Sequence, residues 1–219
     1  MLIALTGLLA PAEVGAIRAS VRTLEFRDGR ATAGRRAREV KANDQALPSP
    51  ARDAILEKVR RALMAHPVFL AAARPQKLTP LLLSRYRVGQ TYGLHVDDAI
   101  MGGLRTDLSF TLFLSDPATY EGGALEIEDN FAPREVRLAA GDLVLYPSTT
   151  LHRVTPVTRG ERLAVVGWVQ SLIRLEAQRE VLFDLDQSIA TLEQQGAARP
   201  VIDRLSKARS NLLRLWAGA

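Results

Sequence analysis

Leu108-Ser109-Phe110-Thr111-Leu112-Phe113-Leu114 sets a large apolar side chain at every second position, and a period of two belongs to an extended strand with one face buried. Working outward, the same short period recurs in Ala124-Leu125-Glu126-Ile127-Glu128, Val136-Arg137-Leu138, Leu143-Val144-Leu145-Tyr146 and Leu163-Ala164-Val165-Val166-Gly167-Trp168-Val169. Turn residues separate these runs: Gly102-Gly103, Glu121-Gly122-Gly123, Ala140-Gly141-Asp142 and Arg159-Gly160. Many short strands at this spacing predict an antiparallel sandwich or barrel between Leu78 and Leu172.

Helical periodicity flanks that stretch. Met1 to Ala10 reads as a first strand, and Pro11 then opens a helix to Leu24 with Val14, Ile17 and Val21 on one stripe. Arg27 to Pro50 is rich in Arg, Gly, Asp and Asn and predicts an extended loop with a short strand near Ala37–Val40. A helix follows from Pro50 to Ala65, interrupted by Pro67, and His66 is placed as a C-terminal helix residue favoured by the dipole. From Leu175 the period is again helical, with Leu182, Leu185, Ile189 and Leu192, then Ile202, Leu205, Leu212 and Leu215, joined near Gly196–Pro200. This predicts a helical hairpin packed on the barrel or on a second copy of the chain. The organisation expected is a supporting N-terminal part (1–77), a β core (78–174) and a C-terminal helical extension (175–219).

Composition narrows the chemistry. With 219 residues, 47% hydrophobic and 24% charged, the chain can bury the core of a large domain. There is no cysteine, so disulfides, thiolate catalysis and cysteine metal sites are excluded, and any metal must sit on nitrogen and oxygen. Its 29 Lys+Arg against 24 Asp+Glu give a formal net charge of +5, almost wholly from arginine, since the lysines are Lys41, Lys58, Lys77 and Lys207. The arginines are scattered among acids and the aromatics are 5%, which does not describe a nucleic-acid-binding stripe. No apolar run reaches the roughly 20 residues of a membrane span. Without an export signal, a cytoplasmic protein is expected.

Two of the three histidines stand where a metal would want them. In a strand, His95 and Asp97 of His95-Val96-Asp97 share a face, with Asp98 turned the other way. His152 follows a strand and the Tyr146-Pro147-Ser148 turn and can fold back toward that pair. Two imidazoles and a carboxylate on one face of an ion form the facial triad of non-heme Fe(II) oxygenases, with open positions remaining. Arg162 lies ten residues on, and if its run pairs with the strand of His152, its guanidinium enters the same cavity, where its fork suits a carboxylate. Metal, open positions and a carboxylate anchor describe a 2-oxoglutarate site.

Tyr86-Arg87-Val88-Gly89-Gln90-Thr91-Tyr92-Gly93-Leu94-His95-Val96-Asp97, Leu112-Phe113-Leu114-Ser115, Gly122-Gly123-Ala124-Leu125, Gly141-Asp142, His152 and Arg162 resemble the Fe(II)/2-oxoglutarate-dependent dioxygenases of the prolyl 4-hydroxylase type. The Met1-Leu2-Ile3 run and the helical tail are similar to bacterial PKHD-type hydroxylases, including iron-uptake-associated members. The resemblance implies a mainly β fold with flanking helices, its core a jelly-roll or cupin-like double-stranded β-helix. It implies Fe(II) on His95, Asp97 and His152, the distal carboxylate of 2-oxoglutarate on Arg162, Tyr86 as a cosubstrate contact, L-ascorbate as reductant and dioxygen as the oxidant. One departure is Phe113, where related enzymes often carry tyrosine. Asp97 argues against a halogenase, since a halide would need its position. Asp98 to Arg105 is a candidate lid, and Gly122-Gly123 lacks the lysine and helix of a phosphate cradle and reads as a turn. The substrate expected is a small molecule or a peptidyl group, and the tail favours a homo-oligomer. A cupin-like iron sensor without turnover is the alternative, and it has no use for Arg162 in the cavity.

Overall fold

The computed structural model describes residues 1–32, 34–129 and 131–218; Ala33, Asn130 and Ala219, the expected end of the helical tail, lie outside the described residues. Two antiparallel sheets face each other. The larger runs in the order Ile3–Leu5, Leu143–Pro147, Leu108–Phe113, Arg162–Ser171, Leu82–Tyr86, Asp44–Ala46, Phe26–Asp28, with Pro75–Leu78 also paired to Arg162–Ser171. The smaller runs Arg134–Val136, Leu125–Ile127, His152–Val154, Thr91–His95, Lys41–Ala42. Alternation decides which side chains meet between the sheets: Tyr86, Phe113, Leu125, Ile127, Val144, Tyr146 and Val154 form the inner core. The opposite face of the larger sheet buries Phe110, Leu112, Leu143, Leu145 and Leu163 against helices. This is the double-stranded β-helix with flanking helices.

The helices Pro11–Val21, Pro50–Ala65 and Pro67–Ala73 close the outer face of the larger sheet. Pro50 at the first helical position and Ser49, which accepts from the Arg52 N–H at 3.2 Å, start the second of them. Val59, Leu63 and Phe69 are fully buried, and the Phe69 ring meets Phe110 edge-on at 6.2 Å. Phe69→Ala should therefore cost about 3–5 kcal/mol of stability, read as a lower urea midpoint with unchanged slope. In the tail, Glu176–Gln194 and Arg199–Trp216 form the expected hairpin. Leu182 and Ile189 are buried, and the partly buried pair Arg74–Asp186 ties the first tail helix to the core. The second tail helix buries none of its residues fully.

Four expectations need correction. The strand near Ala37–Val40 is instead a short helix, Arg35–Glu39, built from good helix formers, and the strands lie just beyond it at Lys41–Ala42 and Asp44–Ala46. Val136-Arg137-Leu138 is not a strand centred on Arg137. The strand is Arg134–Val136, because Arg137 swings out to donate to the carbonyls of Pro117 and Tyr120 at 2.9 and 2.8 Å. His66 does not serve its first helix alone: it is the C-cap of Pro50–Ala65, and its Nδ1 also accepts from the Phe69 N–H and caps the start of the next helix. Arg162 does not pair with the strand of His152. It belongs to the larger sheet, opposite Tyr86, and reaches the cavity from the facing wall.

Candidate metal centre and its carboxylate anchor

His95 and His152 are register partners on adjacent strands of the smaller sheet, which sets their rings 4.3 Å apart between centroids. Each Nδ1 faces a backbone carbonyl, Gly93 at 2.8 Å for His95 and Thr150 at 3.0 Å for His152. A carbonyl can only accept, so each Nδ1 carries the proton and each Nε2 presents its lone pair to the cavity. Asp97 lies past the end of its strand, Thr91–His95, so the pleat does not aim it as the sequence pattern suggested. Ser109, on the facing sheet, donates to Asp97 Oδ2 at 2.6 Å, and Ser148 in turn donates to Ser109 at 2.8 Å. The two oxygens of Asp97 then sit 4.0 Å from His95 Nε2 and 3.7 Å from His152 Nε2.

One ligand atom from each of the three residues falls within 4.8 Å of the others. Two imidazole nitrogens and one carboxylate oxygen suit Fe(II) with open positions left for exogenous ligands. Asp98 is not part of this group. It stands at the mouth against Gly34, where a Cβ would collide with its carboxylate. Ser109→Ala leaves Asp97 without its anchor and should weaken Fe(II) binding by about 10–100-fold, measured by metal titration against a chelator.

Burial dominates the electrostatics. His95 is pushed down to about 4, first by desolvation and then by the neighbouring His152. The ordinary value is 6.5, so between 6.5 and about 4 the unfolded chain binds more protons than the folded one, and stability is lost as pH falls through that window. A series of urea titrations on metal-free protein should show that slope, and His95→Gln should flatten it. Tyr92 stacks on His95 at 3.6 Å, and burial, assisted by the negative charge of Asp97, pushes its phenol up. Burial also pulls Lys41 down to about 8, against the pull of Asp97 and Asp28.

The same cavity runs from the triad to Arg162. Arg162 is 1% exposed, its Nε has no hydrogen-bond partner, and its guanidinium carbon lies 5.2 Å from the ring centroids of both Tyr86 and Phe113. Glycine at 123, with φ +61°, makes room for its stem, since a Cβ there would stand 3.2 Å from Arg162 Cδ. A buried guanidinium with an unmet donor fits an incoming carboxylate. Tyr86 forms the wall beneath it, and burial raises its phenol while Arg162 and Asn43 oppose the rise. At position 113, the expected departure, the phenyl ring adds a second aromatic face to Arg162 and no hydroxyl.

The sequence reading missed Ser109, Ser148 and the cavity-lining trio Lys41, Asn43 and Gln45. Ser109 sits in an apolar strand that looks like plain core, and Ser148 in a turn that looks like a plain connection. The trio had a signal, polar residues at every second position, that the loop-like composition around it masked.

Fold, triad and buried guanidinium together define a 2-oxoglutarate-dependent iron oxygenase, and comparison with known proteins agrees. Residues 81–170 match the 2OG-Fe(II) oxygenase superfamily and residues 176–218 match the PKHD-type hydroxylase C-terminal domain. The chain is 53% identical over 192 residues to a PKHD-type hydroxylase of Maricaulis maris, covering 88% of each, and 50% identical over 225 residues to one of Teredinibacter turnerae, covering 99% of each. Among solved structures it shares the fold of a Pseudomonas putida prolyl-4-hydroxylase, with TM-score 0.57, 23% identity and 78% and 92% of the two chains covered. A Trichoplax adhaerens prolyl hydroxylase aligns with TM-score 0.63, 14% identity and 78% and 83% coverage. The chain belongs to the PKHD-type hydroxylase family, whose oxygenase domain uses Fe(II) and 2-oxoglutarate.

Proposed function

We propose that His95, Asp97 and His152 hold the Fe(II) of this hydroxylase, and that Arg162, with Tyr86 beside it, receives the distal carboxylate of 2-oxoglutarate. The observation that carries this reading is the convergence in one cavity of a three-ligand set within 4.8 Å and a buried guanidinium whose Nε lacks a protein acceptor. When bound, the iron supplies the chemistry by which dioxygen and 2-oxoglutarate give succinate and carbon dioxide while a substrate C–H becomes C–OH. What the chain does is position and shield. Gly93 and Thr150 lock the imidazole tautomers, Ser109 holds the Asp97 carboxylate, and Arg162 neutralises the far end of the cosubstrate. Leu125, Val154 and Val166 line the cavity and keep its walls apolar around the reacting centre.

A sensor without turnover would need the triad but no buried guanidinium, so Arg162 favours the enzyme. No helix among the described residues is long and apolar enough to cross a membrane, in keeping with action on a small molecule or peptidyl group in the cytoplasm, with L-ascorbate as reductant. The test is aerobic incubation with Fe(II) and 2-oxoglutarate. Succinate should form in step with oxygen consumption, and the protein without Fe(II) should form none. Iron bound with no succinate would sink the assignment of the residues.

A further inference from the structure

Lys41, Asn43 and Gln45 lie along one extended run that crosses from the smaller sheet, at Lys41–Ala42, to the larger, at Asp44–Ala46. The pleat turns alternate side chains to opposite sides. Asp44 points away to pair with Arg85 and Arg87, whereas Lys41, Asn43 and Gln45 all line the cavity and are 7%, 3% and 4% exposed. Their bonding is incomplete. Among the described residues the partners of the Lys41 ammonium are the Thr32 hydroxyl at 3.2 Å and the Tyr92 ring face at 4.9 Å, and neither carries a charge. Gln45 Oε1 accepts from Thr32 at 2.7 Å, and Gln45 Nε2 is buried with no partner, while Asn43 turns its Oδ1 onto Gly29 and bonds Tyr86 through its side chain.

A buried cation with no bonded counter-charge, drawn to Asp97 and Asp28 by less than its desolvation costs and set beside an unmet donor, is costly unless a ligand completes it. Asp97 cannot be that counter-charge in the loaded enzyme, because its oxygens face the two imidazoles and are taken by the metal in the reading above. Nor is the trio a second seat for the cosubstrate's distal carboxylate. Lys41 lies at the edge of the smaller sheet, over the ring that stacks on His95, while Arg162 enters from the larger sheet.

We propose that Lys41 receives a carboxylate of the substrate, with Gln45 Nε2 donating to a neighbouring carbonyl, so that the enzyme acts on small amino-acid-like carboxylic acids. The proposal rests on the assignment of Fe(II) and 2-oxoglutarate to the triad and Arg162. Lys41 supplies charge recognition beside the reacting centre, and the Gln45 amide distinguishes an acid with a nearby carbonyl, such as an N-acylated amino acid, from a plain fatty acid.

The experiment uses the full chain loaded anaerobically with Fe(II) and 2-oxoglutarate. Its visible charge-transfer band is followed while L-amino acids, their N-acetyl derivatives and the matching carboxamides are added. Carboxylate-bearing members should perturb the band, and their carboxamides should bind at least about tenfold more weakly. Lys41→Met should lose that response, Lys41→Arg should keep part of it, and both should bind 2-oxoglutarate as the unaltered protein does. Carboxamides binding as well as acids would overturn the proposal, as would no response to any carboxylate. So would a Lys41→Met variant whose 2-oxoglutarate affinity falls with the response. Absence of the band itself before any acid is added would instead overturn the cosubstrate assignment.

Discussion

Arg162→Met strongly weakens 2-oxoglutarate binding while raising the urea midpoint of the metal-free protein: that is the expected result. The two effects have one cause. The guanidinium is 1% exposed with an unmet Nε donor, so before the cosubstrate arrives the fold bears a desolvated cation that methionine, of similar length and no charge, does not impose. Once a carboxylate has docked, the same cation makes a buried charge-assisted pair. Removing one member of such a pair costs about 3–5 kcal/mol, which corresponds to roughly 150- to 5,000-fold in affinity. Equilibrium dialysis of 2-oxoglutarate and urea titration of the metal-free variant read the two halves independently. A large loss of stability would show that Arg162 is a structural cation and not a poised anchor.

Asp97→Ala should remove more. It takes away the one carboxylate of the proposed ligand set and leaves two imidazoles whose Nε2 atoms flanked it at 4.0 and 3.7 Å. Fe(II) affinity should fall by at least about 100-fold, and 2-oxoglutarate-dependent succinate formation should become undetectable. The fold should persist, since Ser109 retains Ser148 as a partner and the strands bearing the histidines do not depend on the carboxylate. Metal titration with circular dichroism on the same sample checks both. Retained iron binding with lost turnover would mean that Asp97 is not a ligand and acts on the reaction in another way.

Much of this was legible in the amino-acid order because period-two burial is a strong signal. Leu108–Phe113 and Arg162–Ser171 are central strands, and their alternation has to satisfy a core on both faces. His95, Asp97 and His152 were readable as a set because a chain with three histidines and no cysteine has few ways to hold a metal. The route of Arg162 into the cavity was not readable. Which strand pairs with which is decided by the whole sheet order, and that order places Arg162–Ser171 between Leu108–Phe113 and Leu82–Tyr86. Nor does local pattern reveal the aim of Asp97, which depends on a hydroxyl twelve residues away across the cavity. Lys41, Asn43 and Gln45 were hidden for a different reason: a polar stripe turned inward looks like a solvated loop until the sheets that enclose it are known.

The account stands most directly on anaerobic titration of 2-oxoglutarate into Fe(II)-loaded protein, followed in the visible range. It predicts a saturable charge-transfer band in the unaltered protein, absent in Asp97→Ala for want of iron and requiring roughly 150- to 5,000-fold more 2-oxoglutarate in Arg162→Met. Iron bound with no band at any 2-oxoglutarate concentration, or an undiminished band in Arg162→Met, would contradict it.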